Sequence, residues 1–415
     1  MRALLTPEGW RLLESLPPYD EKSALRLGAR LRAEGHDPGL VAAALTQSRL
    51  RARGHDKLGP FADAMLLTPD GLEQATRLSV AAHHARRYVG AGVERVADLG
   101  CGLGSDAMAL AGLDRHVLAI DADELTAAFA TVNLRHWPSA EVRCHDVTTL
   151  DLPGMLEPTD GVWLDPARRV GGRAGGSRRT FDPEAFSPPY SFVLDVARQF
   201  SATGAKLAPG IAHRLLPDGV SAPAAEAQWV SVRGDVVECA LWFGPLAREG
   251  VRRSALVLDG RGGVHELLDE PGVGRAPVSA VGAFLHEPDG AVIRAGLVPE
   301  LTARLGARLV DPTIAYLTTD SPASHPLIHT YAVEDVLPYQ VKALRTYLRD
   351  RGVGVLTIKK RGSAVDPLQL RRQLRLSGDS EATIALTRVG GQPSVLVLRL
   401  LRDAAEPPTS EPTDR

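Results

Sequence analysis

Residues 96 to 106 read Val-Ala-Asp-Leu-Gly-Cys-Gly-Leu-Gly-Ser-Asp. Val96 to Leu99 is a short apolar run ending at a glycine turn, and Ala107 to Ala111 is helix-forming. A strand, a glycine loop and a helix start bring backbone N–H groups and a helix N-terminus to a nucleotide-like ligand in an α/β sheet. The glycines stand at 100, 102 and 104, and Ser105 occupies the place of a dinucleotide fold's third glycine. Such a fold also lacks an acid directly before the loop, which here is Asp98. A nicotinamide-dependent oxidoreductase is disfavoured on both grounds. A glycine turn that holds no ligand is the plain alternative.

The following seventy residues extend the pattern. His116 to Ile120 reads as a buried strand and ends at Asp121, 21 residues after Gly100. An acid at the tip of a second strand can accept both ribose hydroxyls, and a spacing of about 20 is what a βαβ unit imposes. Asp123 lies two residues on as a substitute. Leu125 to Leu134 reads as a helix, and Glu141 to Cys144 as a third strand followed by His145-Asp146. Gly161 to Leu164 is a fourth strand and delivers Asp165-Pro166-Ala167-Arg168. Taken singly, each acid is as readily a helix cap or a solvated carboxylate. Their recurrence directly after successive strands makes them a set, because ligands of doubly wound sheets gather at the carboxyl ends of the strands.

Asp-x-Gly-x-Gly-x-Gly at 98 to 104 resembles the first motif of class I S-adenosylmethionine-dependent methyltransferases. The resemblance implies that the loop backbone passes close to the methionine part of the cofactor, where a side chain at Gly100, Gly102 or Gly104 would block it. It further implies that Asp98 faces the cofactor's ammonium, Asp121 its ribose and Asp146 its adenine amino group. Asp165-Pro166-Ala167-Arg168 resembles the Asp-Pro-Pro-aromatic motif of methyltransferases acting on exocyclic amino groups. There the acid and the next carbonyl accept the two amino hydrogens, the lone pair faces the sulfonium methyl, and positioning supplies most of the acceleration. Neither a metal nor a covalent intermediate is required. Ala167 replaces the second proline and Arg168 the aromatic, but a guanidinium plane can stack on a base or grip a phosphate. The alternative is that Asp165 caps a turn that Pro166 shapes.

Arg168, Arg169, Arg173, Arg178 and Arg179 lie among four glycines, with no acid until Asp182. Phosphate binding and a solvated loop are the two readings. Ser187-Pro188-Pro189-Tyr190 also looks like an amino-methyltransferase motif, but it precedes a helix (Phe192 to Phe200) instead of ending a strand, which argues against that role. Tyr190 and Phe186 are candidates to stack on a substrate ring.

A chain of 415 residues is too long for one core and predicts two or three domains. The net charge of −2 excludes a uniformly basic coat but not a local basic face. No apolar run reaches membrane-spanning length. Cys101, Cys144 and Cys239 are odd in number and lack Cys-x-x-Cys spacing, which points to a reducing cytoplasm and away from zinc or disulfides. Residues 1–90 read as helical, with starts at Thr6-Pro7, Asp20, Asp37-Pro38 and Thr68-Pro69, the last running to about Tyr88. Phe61, Met65, Thr68 and Gln74 are lid candidates, with helix packing an equal alternative. Ala205 to Ile211 predicts a fifth strand. Gln228 to Val232 and Val236 to Phe243 form a hairpin like the sixth and seventh strands of the methyltransferase fold. A further hairpin is expected at Ser254–Leu258 and Val264–Leu268, and a linker at Glu270–Val278.

The expected architecture is therefore α/β. An N-terminal helical region covers 1–90, a Rossmann-like seven-stranded methyltransferase sheet 91–270, an α+β domain 280–402 and a disordered tail 403–415. Within the α+β domain, Leu297–Leu305, Val336–Arg351 and Pro367–Leu376 read as helices, and Val353–Lys359, Ala382–Thr387 and Ser394–Leu400 as strands. From Gln340 to Arg402 there are 13 Lys plus Arg against 4 Asp plus Glu, a net of +9. Lys359, Lys360, Arg361, Arg371, Arg372 and Arg375 carry much of this excess, with 371 and 375 expected on one helix face. A solvated surface and an RNA footprint are the two readings. Ile-Lys-Lys-Arg-Gly at a strand end, followed by Asp-Pro-x-x-Leu-Arg-Arg, resembles bacterial methyltransferases with a THUMP-like domain. That resemblance implies RNA, tRNA or rRNA, as partner. The leading expectation is a methyltransferase of an exocyclic base nitrogen in RNA, using S-adenosylmethionine and no metal. A small-molecule or protein methyltransferase, and an RNA-binding protein with an inactive core, are the alternatives. The oligomeric state stays open.

Overall fold

The computed structural model describes residues 1–167, 182–220 and 223–401, with the backbone pairs 169–170 and 178–179. The side chains of Thr6, Asp20, Asp37 and Thr68 each accept a first-turn amide. They open α1 (Pro7–Ser15), α2 (Glu21–Ala33), α3 (Pro38–Leu58) and α4 (Pro69–Gln74). The helix expected from Pro69 to Tyr88 is broken. α4 stops at Gln74, Ala75 leaves the helix at φ −51°, ψ 133°, and α5 (Leu78–Gly90) starts afresh. The cause is tertiary: Lys57 takes the carbonyls of Leu72, Glu73 and Ala75, and Lys206 that of Gln74, so the carbonyls that would carry a helix onward point elsewhere.

β1 (Arg95–Leu99), α6 (Ser105–Ala111), β2 (His116–Asp121), α7 (Glu124–Asn133), β3 (Ala140–Cys144), α8 (Leu152–Met155) and β4 (Gly161–Leu164) alternate, and the four strands are parallel. Register does the rest. Leu99 pairs with both Ile120 and Leu164, and Asp121 with Cys144, so Gly100, Asp121, His145 and Asp165 emerge along one edge of the sheet. β5 (Arg169–Val170) and β6 (Arg178–Arg179) pair antiparallel. After α9 (Tyr190–Gln199), β7 (Thr203–Leu207) runs parallel to β4. β8 (Ala225–Val232) and β9 (Asp235–Phe243) are the expected sixth and seventh strands, and β9 is antiparallel to β7.

The chain divides into two compact units, 1–227 with 239–250, and 228–238 with 251–415. In the first, the strand order is β3-β2-β1-β4-β7-β9. Trp163 and Trp242 stack in its core at 5.4 Å, with Tyr88 edge-on to Trp242. Fully buried Glu226 receives Arg87 (2.8 and 3.0 Å) and Arg248, whose amide and Nε both stand at 3.1 Å. Burial alone would raise that carboxyl, but the two guanidinium groups bring it to about 2.

The second unit holds the hairpin β10 (Arg253–Leu258) and β11 (Val264–Leu268). It continues through β12 (Phe284–Pro288), α10 (Gly290–Ala295), α11 (Val298–Leu305), β13 (Arg308–Asp311), β14 (Ile314–Thr319) and β15 (Ile328–Pro338). It ends with α12 (Val341–Asp350), β16 (Val353–Lys360), α13 (Pro367–Leu374), β17 (Ser380–Val389) and β18 (Gln392–Leu400). Seven of these strands form one sheet in the order β13-β14-β12-β15-β18-β17-β16. The helix expected from Val336 begins only at Val341, because Val336 to Pro338 pair with Ser394 to Leu396 of β18. α12 and α13 bury Leu344, Leu348, Leu370 and Leu374 with Ile384, Val395 and Val397 of the sheet. Among the described residues no helix is long and apolar enough to cross a membrane.

Candidate functional site

The glycine loop follows β1 and caps α6. Gly100, Gly102 and Gly104 have φ of 89°, 56° and 85°, the left-handed region that side chains resist. Their surroundings differ: Gly100 and Gly102 line a cavity, and Gly104 does not. A Cβ on Gly100 would press on the Asp165 carbonyl at 3.3 Å, and one on Gly104 would meet Leu134, while one on Gly102 would enter open space. That space belongs to a cavity of about 510 Å³ lined by the loop, the ends of the parallel strands and the α4 segment. Its volume lies in the ordinary range for a small-molecule site.

Acids surround it. Asp121 lies on its wall and accepts the amides of Gly102 (3.0 Å) and Asp123 (2.9 Å), and burial nonetheless raises its carboxyl. Asp123 caps α7 through Thr126, the plainer of its two readings. Asp146 also lines the cavity. One of its oxygens takes the Thr148 hydroxyl (2.7 Å) and amide (2.9 Å), which holds the carboxyl below its ordinary range. Asp98 is enclosed rather than on the wall, 1 % exposed, and neither of its oxygens has a hydrogen-bond partner. Burial pushes this carboxyl far up, and the charges of Asp106, Asp165 and Asp121 add to the push.

Two pairs escaped the sequence analysis. His84, on α5, meets Asp106 at 2.7 Å, and its ring lies 4.3 Å from that of Trp163. Burial would raise the Asp106 carboxyl, but the hydrogen bond and charge of His84 hold it below the usual range. Lys206, on β7, meets Asp165 at 2.6 Å. A lysine between Ala205 and Leu207 in an apolar strand was the signal available in the sequence. Asp165 lines the cavity directly after β4. The bridge Ala167–Ser187 (2.8 and 3.0 Å) brings Ser187 and Pro188 to the same wall, so the position before a helix does not keep that stretch away from the site.

Other expected residues lie elsewhere or do other work. Tyr190 and Phe186 are buried, Tyr190 donates to the Leu215 carbonyl at 2.8 Å, and neither lines the cavity. Thr68 and Gln74 line it, whereas Met65 is core and Phe61 packs near Trp137. Arg168 and Arg173 fall outside the described residues, and of Arg169, Arg178 and Arg179 only the backbone pairing is described.

In the second unit, Lys359 and Arg361 both reach Glu287, at 2.7 and 3.4 Å, and lie over the rings of Tyr331 and Tyr316. Both are thus engaged within the fold, which neither of the two sequence readings of these cations included. Lys360, Arg371, Arg372 and Arg375 are exposed and form no ion pair among the described residues. Arg375 follows α13 at φ 49°, so it does not continue the helix face of Arg371; it lines a groove of about 500 Å³ with Arg345 and Arg372. Among the described residues no cluster of three or more His, Cys, Asp or Glu could hold a metal.

Comparison with known proteins places the family and the fold. Residues 328–400 match the family described as THUMP domain-like, and residues 1–54 a domain of unknown function. Two uncharacterized S-adenosylmethionine-dependent methyltransferases of Mycobacterium tuberculosis, from strains CDC 1551 and H37Rv, are each 34 % identical over 370 residues, covering 87 % of this chain and 95 % of the relative. A solved structure from Porphyromonas gingivalis W83, described as a candidate methyltransferase, matches with a TM-score of 0.69 at 21 % identity, covering 92 % of this chain and 99 % of that one. The residues present fit the cofactor: the cavity meets bare backbone at Gly102, an enclosed carboxyl lacks any partner, and the acidic lining suits a sulfonium and an ammonium.

Proposed function

The chain belongs to the S-adenosylmethionine-dependent methyltransferase family, and on that premise we propose that it methylates an exocyclic amino nitrogen of a base in RNA. The observation that carries this reading is the place of Asp165, which leaves β4 beside the glycine loop and lines the same cavity as Gly102 and Asp121. The cofactor supplies a methyl group on a sulfonium. Around it, Asp121 would hold the ribose hydroxyls, Asp146 the adenine amino group, and Asp98 would balance the ammonium. Asp165 and the Pro166 carbonyl would accept the two amino hydrogens and turn the nitrogen lone pair toward the methyl group, so that positioning does most of the work. Ser187 and Pro188 would wall the base pocket, and Arg168 would stack on the base.

The second unit would supply RNA affinity. Its unpaired cations, Lys360, Arg371, Arg372 and Arg375, suit phosphates, and Arg169, Arg173, Arg178 and Arg179 would serve the same end. The test is transfer of tritium from labelled cofactor to small RNA of cells lacking the gene, with nucleoside mass spectrometry to identify the product. Label is expected with the wild type and absent with Asp165→Ala; absence of label from every RNA fraction overturns the reading. The Asp165–Lys206 ion pair favours one second reading, a small-molecule or protein substrate, because one carboxylate oxygen is already engaged. That reading predicts little salt-sensitive RNA binding.

A further inference from the structure

The break between α4 and α5 is held from two sides by ammonium groups. Lys57, near the end of α3, donates to the carbonyls of Leu72 (2.9 Å), Glu73 and Ala75 (3.2 Å). Lys206, from β7, donates to the Gln74 carbonyl (3.2 Å) and the Thr76 hydroxyl (3.0 Å), and the same ammonium meets Asp165 at 2.6 Å. Together they take every backbone carbonyl from 72 to 75. Gln74, Ala75 and Thr76 are part of the cavity wall, opposite in sequence to the glycine loop and the acids. Gly71 belongs to the same wall, where a Cβ would come 2.8 Å from Leu103 of that loop. Placing two ammonium groups around one short segment is unfavourable in itself. Burial, then the charges of Lys206 and Arg77, lower Lys57 to about 8. The compensation is a set of hydrogen bonds from charged donors to carbonyls that the broken helix leaves exposed.

We propose that Lys57 and Lys206 are positioning residues that clamp segment 72–76 as a strap over the cofactor cavity, and that Lys206 couples that strap to Asp165. The strap half rests on cofactor binding. The coupling half rests on the reading of Asp165 given above. With the clamp in place the cofactor's exit is closed on the α4 side and the carboxylate is fixed in one orientation. Without it residues 72–76 lose their anchors, the cofactor leaves sooner, and Asp165 loses its ion pair with Lys206.

The full chain tests this by amide hydrogen exchange and by the release rate of S-adenosylhomocysteine in stopped flow. Lys206→Met is expected to speed both exchange at 72–77 and release by about tenfold, the size of one charge-assisted hydrogen bond, with β1, β2 and β4 still protected. Lys206→Arg, which keeps the charge, is expected to recover much of both. Lys57→Met is expected to shift the same two readouts. If Lys206→Met does not fold, Thr76→Val removes a single hydroxyl and is expected to give about a threefold change in the same direction. Wild-type exchange and release in every folded variant overturns the clamp. In the RNA methylation assay Lys206→Met is expected to lower kcat with little change in the KM for RNA; a wild-type kcat overturns the coupling. Should the wild type methylate no RNA, the exchange and release measurements still read the clamp, so the two failures remain distinct.

Discussion

Asp98 and Glu226 are buried carboxylates of the same unit, and they are solved in opposite ways. Glu226 has two guanidinium groups and a backbone amide around it and is brought to about 2. Asp98 has no hydrogen-bond partner, faces three further carboxylates and is pushed up. A satisfied buried charge fixes elements to one another, whereas an unsatisfied one is a cost to the fold, and the role proposed for Asp98 is that a cationic cofactor offsets it. The second unit repeats the contrast with the sign reversed. Lys359 and Arg361 share Glu287, while Arg371 and Arg372 have no carboxylate at all among the described residues.

The largest effect is expected on the satisfied side. Glu226→Gln removes the charge that Arg87 and Arg248 share and should cost about 3–5 kcal/mol in denaturant unfolding of the first unit, with cofactor affinity in the remaining folded protein unchanged. Equal loss of stability and affinity would erase the distinction between the two acids.

Asp98→Asn should do the reverse. S-adenosylmethionine affinity, read by calorimetry, is expected to fall by about 100-fold, the order of a lost buried charge interaction, while the cofactor-free protein becomes more stable at pH 7. The sign follows from linkage: a carboxyl raised on folding contributes stability only below its unfolded value, near 4, and loses it as pH rises. The stabilisation by Asp98→Asn should therefore shrink as pH is lowered toward 4. For Glu226 the sign is opposite: its contribution is present above about 4.5 and lost as pH falls through about 2.

The smallest effect concerns the cations. Arg372→Ala is expected to weaken RNA binding a few-fold and to reduce the salt slope by about 1, with thermal stability unchanged. Lys359→Met should instead leave the salt slope intact and lower the stability of the second unit. An unchanged slope in Arg372→Ala together with a reduced one in Lys359→Met would invert the assignment of free and structural cations.

The strand-loop-helix pattern at 96–111, the acids after successive strands and the helix caps at Thr6, Asp20, Asp37 and Thr68 were legible because each depends on neighbours within a few residues or on βαβ spacing. The strand at 336–338 was not, because β18 claims it from nearly sixty residues away. Nor was the wall role of Ser187 and Pro188, which depends on a bridge to Ala167.

The sequence by itself determined where the glycine loop lies and that acids follow the neighbouring strands, since hydrophobic period and glycine spacing are local properties. Only the tertiary structure decided which charges are satisfied. Lys206 reaches Asp165 across 41 positions, Arg87 reaches Glu226 across 139, and Lys359 reaches Glu287 across 72. Whether a buried charge has a partner is a matter of distance in space, and the linear order of residues does not record it.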